Sequence, residues 1–297
     1  MSPPQPPVVV VVGSLHYDIM VDAPDRPRRG ETVTGRAWRP KFGGKGGNQA
    51  LAAARAGAEV RMAGAVGADA FGQFLLAALV EGGIETSRVA RHVGAASGMS
   101  VAIGDAGGDY GAVIVSGANL LLDPAALAAP GLWRGAQALI LQNELPEAAN
   151  LAAARAARAA GARVCLNAAP FRPLPAELMA LLDLLVVNAI EAEQLGCAAV
   201  TDLASATAAA AALAERFPAV VVTAGGDGVA GMRQGEAPVV LPALPVALVS
   251  THGAGDVFVG ALVTALAAGE PFARSLQRAN AAAAAHVSLP SGTGPAA

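Results

Sequence analysis

Val8–Val12 is an unbroken run of β-branched residues stopped by Gly13-Ser14, which predicts a strand buried on both faces of a parallel sheet. From Leu15 to Pro40 helical periodicity is lost and the chain is cut by Pro24, Pro27, Gly30 and Gly35. That stretch predicts short strands and turns outside the main sheet, with Glu31–Thr34 among the extended pieces. Gln49–Ala56 reads as a helix closed by Gly57, Val60–Val66 as a strand, and Phe71–Glu81 as a helix ended by Gly82-Gly83. Met99–Ile103 and Gly111–Val115 alternate like the arms of a hairpin around Gly107-Gly108.

From about residue 120 the rhythm becomes regular. Ala138–Leu141, Arg163–Asn167, Leu184–Val187 and Val220–Thr223 read as strands, and Ala148–Ala160, Ala189–Leu195 and Ser205–Arg216 as helices. A β-rich stretch then runs to Val249 and an apolar helix over Val257–Ala268. Alternation of this kind predicts an α/β fold in which helices cover a parallel sheet. Residues 1–297 are expected to form one main domain, with about 15–40 and 98–115 combining into a small β insertion. The alanine runs at 152–160, 208–212 and 281–285 are strong helix formers, so they count as helices and not as linkers.

Composition narrows the function. With 54% hydrophobic and 14% charged residues in 297, the chain can bury a large core, which excludes a disordered tail or a coiled-coil rod. Lys and Arg number 20 against 23 Asp and Glu, a net charge of −3 with no basic footprint for nucleic acid. The longest strongly apolar run, Val8–Val12, is too short to span a bilayer, and Ser2–Pro7 lacks the basic start of a secretory signal. The expected address is therefore the cytosol, with Cys165 and Cys197 as reduced thiols.

Two glycine clusters carry the candidate chemistry. Thr251-His252-Gly253-Ala254-Gly255-Asp256 leads straight into a helix, so small residues can turn successive N–H groups, and the positive end of the helix, toward one anion. A carboxylate beside an anion site is repulsive unless it takes a proton. Asp256 is thus a candidate general base, and the Ala254 and Gly255 amides are candidate stabilisers of a transferring phosphoryl group. The alternative is a plain turn in which Asp256 complements the helix dipole. The second cluster, Gly43-Gly44-Lys45-Gly46-Gly47-Asn48, has neither the Walker spacing nor the dinucleotide one. Its backbone, with Lys45 and Asn48, suits a polyhydroxylated ligand, the alternative being a tight turn with a solvated lysine.

Gly43–Ala50, Gly64-x-x-Gly67-x-Asp69-x-x-Gly72 and Gly253-Ala254-Gly255-Asp256 together resemble the paired signatures of the ribokinase-like (PfkB) carbohydrate kinases, in the family's order, over Val8 to about Ala296. Gly30-Glu31-Thr32-Val33, Gly117-Ala118-Asn119 and Asn167-x-x-Pro170 add to the likeness. The resemblance implies a three-layer α/β/α fold with a mostly parallel central sheet and a small β lid. It implies ATP- and Mg²⁺-dependent phosphorylation of a primary hydroxyl on a small sugar, ribose first. Asp256 would be the base, and Gly253, Ala254 and Gly255 the anion hole. His16, Asp18, Gly44, Lys45, Asn48, Glu144 and Asp256 would hold the sugar. Asn188, Thr223, Gly225, Gly228, Gly255 and Asn280 would meet the nucleotide, with Asn188 and Glu191 organising Mg²⁺. Without the family, Asn188 and Glu191 read equally well as a helix capping box, and Glu144 as a solvated loop acid.

Three positions depart from the family pattern. His16 stands where a sugar-contacting asparagine is usual. Ser250 replaces an aspartate, and Ala296 a serine, at positions that serve a monovalent cation, so little or no K⁺ activation is expected. A lid with open sheet edges further suggests a homodimer formed through it. Two other readings stay open: a related kinase for a nucleoside, ketohexose or deoxy-sugar acid, and a regulator that binds nucleotide or sugar without catalysis. A nicotinamide oxidoreductase fits less well, since Val8–Ser14 is followed by no dinucleotide glycine fingerprint.

Overall fold

The computed structural model describes residues 5–104 and 110–288. The Gly107-Gly108 turn and Ala296 lie outside them. Strands β1 (Val8–Val12), β2 (His16–Asp22) and β3 (Ala37–Gly43) open the chain, followed by helix α1 (Lys45–Arg55), β4 (Glu59–Gly67) and α2 (Ala70–Glu81). Next come β5 (Glu85–His92), β6 (Met99–Gly104), β7 (Tyr110–Val115), a short α3 (Pro130–Trp133), β8 (Ala136–Gln142), α4 (Glu147–Ala159) and β9 (Arg163–Asn167). The remainder is α5 (Ala176–Leu181), β10 (Leu184–Asn188), α6 (Ala189–Gln194), α7 (Leu203–Ala214), β11 (Ala219–Thr223), β12 (Gly228–Arg233), β13 (Val239–Pro242), α8 (Ala254–Ala267) and α9 (Phe272–Val287).

Alternating side-chain direction explains why β1 is apolar throughout. Val10 and Val12 enter the core beneath α4, α5, α6 and α7, while Val9 and Val11 enter the opposite core beneath α1, α2, α8 and α9. All four valines are fully buried, each contributing about 1.5–3 kcal/mol of apolar burial. The same division runs through β8 to β11, and three layers result. The nine-stranded sheet has the order β13-β12-β11-β10-β9-β8-β1-β4-β5, with parallel pairing everywhere except between β11 and β12 and between β12 and β13. A four-stranded sheet, β3-β2-β6-β7, forms the lid.

Several boundaries differ from the sequence reading. Glu31–Thr34 is not a strand; β3 begins at Ala37 and passes through Pro40. Its edge position permits this, because a proline there costs no bond to an inner neighbour. Edge strand β5, with mostly exposed residues, has no apolar alternation and is missing from the sequence reading. The β-rich stretch ends at Pro242 instead of Val249, and Leu244, Val246, Leu248 and Val249 stand exposed without strand structure. Helix α1 starts at Lys45, inside the glycine cluster, with Gly44 preceding it at φ 85°.

Two close approaches fix where α1 lies. A Cβ on Gly46 would sit 2.5 Å from the Gly13 backbone, so the helix start rests directly on the end of β1. A Cβ on Gly260 would sit 2.6 Å from Ala52 and 2.7 Å from the Ala53 nitrogen, so at this point α8 packs on α1 through small residues. Their absence of side chains brings the two helix N-termini together.

Candidate active site

In an open α/β sheet, ligands collect beyond the C-terminal strand ends where the strand order reverses. Here β1 connects on one side to β4, while its other neighbour is β8. The residues leaving those two strands meet: the Ser14 hydroxyl donates to Glu144 Oε2, which also accepts from the Lys45 backbone N–H at 2.9 Å. Glu144 is therefore a fixed member of the site, not a solvated loop acid. His16 Nδ1 stands 4.0 Å from the same oxygen, and its Nε2 is buried without a partner among the described residues.

The lid supplies the opposite wall. Asp18 on β2 lies over Gly43, accepts from the Ser100 hydroxyl at 2.6 Å, and pairs in register with Lys41. Burial raises its pKa, opposed by the Ser100 bond and by the charges of His16 and Lys41. Burial likewise lowers the Lys41 pKa. Asn119 holds this wall at its root: it accepts from Leu15 N at 2.9 Å and donates to Leu15 O at 2.8 Å, while fully buried. Asp69 caps α2 through Gly72 N and receives both the hydroxyl and the amide of Ser97, just before β6. The glycine-rich motifs around Asp69 and Asn119 thus anchor the lid.

The floor is the start of α8. Gly253, at φ 83°, turns the chain into the helix, and Asp256 sits in its first turn with 8% of its surface exposed. Asp256 Oδ2 accepts from Asn48 Nδ2 at 3.2 Å and Oδ1 from Gln49 Nε2 at 2.9 Å. Burial raises its pKa, with the Lys45 charge and the two amide bonds pulling it back and Glu144 adding to the rise. The Ala254 N–H is directed at Thr251 O at 3.2 Å, whereas Gly255 and Asp256, in the first turn, have no acceptor within the helix. Space above Gly255 is open. The available donors are accordingly one residue further along than the Ala254–Gly255 pair.

A second cluster lies at the ends of β10 and β11, where Asn188 and Thr223 are register partners. Asn188 and Glu191 form the reciprocal capping box of α6: Asn188 Oδ1 accepts from Glu191 N and Glu191 Oε2 from Asn188 N, each at 2.9 Å. Burial raises the Glu191 pKa; the backbone bond from Asn188 and then the Lys45 charge oppose that, and Asp256 adds to it. Thr223 Oγ1 donates to Val187 O at 3.4 Å, and Gly225 occupies a short turn at φ 55° with open space around it. Gly228 is different: it lies at φ 127° with a Cβ position blocked by the 241–243 backbone, so it serves the close pairing of the start of β12 with the end of β13. Asn280 on α9 donates to Pro242 O at 2.9 Å. Among the described residues no group of three or more His, Cys, Asp or Glu could cage a metal. Asn188 and Glu191 suit an ion that keeps most of its water and arrives on a phosphate, as Mg²⁺ does.

Sequence reasoning missed Gln49, Ser14, Ser100 and Lys41. Gln49 was detectable as the one long polar residue on the buried, alanine-lined face of α1. A separate cavity of about 280 Å³, lined by Arg163, Asp183, Arg233, Glu236 and Phe272 among others, opens near the N-terminal ends of β9 to β11, away from these groups.

A buried carboxylate at a helix start, bonded directly to the residues that follow a glycine-lysine segment, in a fold with a small β lid, points to a class. The chain belongs to the pfkB family of carbohydrate kinases, which it matches over residues 7–296. It is 33% identical to the ribokinase of Haemophilus influenzae over 281 residues, 94% of this chain and 92% of that one. It is 36% identical to the ribokinase of Bacillus subtilis over 280 residues, 94% and 92% of the two chains. The structure of Arabidopsis thaliana ribokinase complexed with ribose and ATP superposes with a TM-score of 0.89 at 30% identity, covering 97% of this chain and 94% of that one.

Proposed function

We propose that this carbohydrate kinase transfers the γ-phosphoryl group of ATP to the primary hydroxyl of ribose, giving ribose 5-phosphate, with Asp256 as general base. The observation that carries the reading is the grip on Asp256: a buried carboxylate, held by two amides from α1, beside first-turn N–H groups that have no acceptor within α8. A carboxylate whose pKa is raised by burial, yet kept ionisable by donors, is suited to accepting a proton near neutral pH.

Asp18, Lys45, Asn48, Glu144, His16 and the Gly44 backbone bind the sugar, their carboxylates accepting from its hydroxyls and Asn48 donating or accepting. As the sugar oxygen attacks, Asp256 takes its proton. The N–H groups at the start of α8 receive the negative charge that develops on the phosphoryl oxygens. Asn188, Glu191, Thr223 and Gly225 face the nucleotide, and Asn280 lies at the base side. Mg²⁺ would neutralise phosphate charge, held through water by Asn188 and Glu191. Lid residues exclude water from the reaction.

We further propose a homodimer joined through the lid, whose residues Trp38, Val113 and Ile114 are 65%, 67% and 58% exposed. The cytosol is the proposed site of action; both cysteines are free, and no helix among the described residues is long and apolar enough to cross a membrane. Release of ADP, followed with ribose, other pentoses, ketohexoses, nucleosides and sugar acids, tests the function. Ribose should give the highest kcat/KM, and ADP release independent of any sugar would defeat the reading.

A further inference from the structure

Behind Asp256 runs a chain of buried amides. Asn167 Nδ2 donates to the Val186 backbone carbonyl at 3.2 Å, and Asn167 Oδ1 accepts from Gln49 Nε2 at 3.0 Å. The same Gln49 Nε2 donates to Asp256 Oδ1 at 2.9 Å, and Gln49 Oε1 accepts from Gln142 Nε2 at 2.8 Å. Gln49 and Gln142 are fully buried, and Asn167 is 8% exposed. Water is therefore not at hand to replace a lost partner.

One end of this chain has no freedom. A backbone carbonyl can only accept, so Asn167 must present its NH₂ to Val186 and its oxygen to Gln49. Gln49 must then turn its NH₂ to Asn167, and the second hydrogen of that group is left for Asp256. A flipped Gln49 would set its oxygen against both Asn167 Oδ1 and the carboxylate, and its NH₂ against the Gln142 donor. Three like-to-like contacts in a dry interior forbid that state.

We propose that Gln49 is a positioning residue for Asp256, fixed as a donor by the amide chain that begins at the Val186 carbonyl. It holds the carboxylate in its ionised form and at a set angle to the helix start, and it ties the base to β9 and β10 of the sheet, independent of the lid. Other charged groups near Asp256 are Lys45 on α1, Lys41 on β3, Glu144 after β8 and Glu191 on α6. None of them changes in the variants below.

The proposal rests on the kinase reading, and the test separates the two. In Gln49→Met, which keeps length and apolar volume but no donor, kcat should fall about 10- to 100-fold while KM for ribose and ATP stays within about threefold. The acid limb of the kcat–pH profile should move up by about half a unit or more, since a donor that favours the charged form has gone. Gln142→Met frees Gln49 Oε1 from its donor and should move the limb the same way by less. A limb that stays at its wild-type position in Gln142→Met, or in a folded Gln49→Met, overturns the proposal, as does a fall in kcat without any movement of the limb. The carboxyl titration of Asp256, followed by ¹³C NMR against the Asp256→Asn spectrum, reads the same shift without turnover. A wild type that phosphorylates no sugar thus defeats the kinase reading alone.

Discussion

Asn48 and Asp256 are 208 residues apart in sequence and joined by a hydrogen bond of 3.2 Å between Nδ2 and Oδ2. The bond spans the two glycine clusters, so α1 and α8 meet at one carboxylate. Replacing that carboxylate separates binding from chemistry. Asp256→Asn should lower kcat by about 10²–10⁴-fold while a fluorescent ATP analogue binds within a few-fold of wild type. An Asn variant of full activity would remove Asp256 from the mechanism.

His16 should act on the sugar and not on the nucleotide. It is buried, with Nδ1 4.0 Å from Glu144 and Nε2 without a partner among the described residues. A Cβ at Gly98 would stand 2.5 Å from its ring, so the ring has no slack on that side. His16→Ala should raise KM for ribose about tenfold, equivalent to about 1.4 kcal/mol, with KM for ATP unchanged. An equal rise in both constants would place the effect in the fold instead.

Much of this site could be read before any coordinates. Gly13-Ser14, the glycine-lysine segment and Gly253–Asp256 follow strands or precede helices where their chemistry requires, because glycine there serves close approach and φ near 85°. Strands β1 and β8 to β11 were legible from their continuous apolar runs. What stayed hidden depends on tertiary pairing. Edge strand β5 has little buried pattern to betray it. Gln49 and Gln142 read as ordinary polar residues until α1 is laid against β8 and α8. The Ala254 amide looked available because sequence cannot show that Thr251 O claims it.

Asp69 offers a test of the lid anchor through pH. Burial raises its pKa, but the bonds from the Ser97 hydroxyl, the Ser97 amide and the Gly72 amide outweigh that and leave it below the ordinary value. A depressed carboxyl contributes stability that is full above its unfolded pKa and is lost as pH falls through the folded one. Asp69→Ala should lower Tm by about 2–6 °C at pH 7, the range for a lost helix cap in a chain of this size. The gap to wild type should close as the pH falls below about 4. A gap that is constant down to pH 3 would contradict the assignment.

Potassium should matter little. Ser250 donates its amide to Val287 O at 3.2 Å and accepts from His252 N at 3.3 Å, and it brings no carboxylate to the loop before α8. Activity in K⁺, Na⁺ and choline at equal ionic strength should agree within about twofold, the spread expected of screening alone. Strong stimulation by K⁺ would show that other groups supply the cation site.

The lid surface makes a prediction about assembly. Light scattering should give twice the chain mass, and Ile114→Lys, which places a charge on the exposed face of β7, should shift the protein toward the monomer. A wild-type monomer at working concentration would refute pairing through this sheet.

The contact of Gly260 with Ala52 and Ala53 turns the abundance of alanine into a ruler. The distance between proton acceptor and acceptor-holding amides is set several residues away, by how thin the seam is where the two helices touch. Residues that meet the sugar can be exchanged during divergence with only a change of preference. A single added methylene along that seam would wedge the reacting groups apart, so selection should police its smallest residues as strictly as the acid itself.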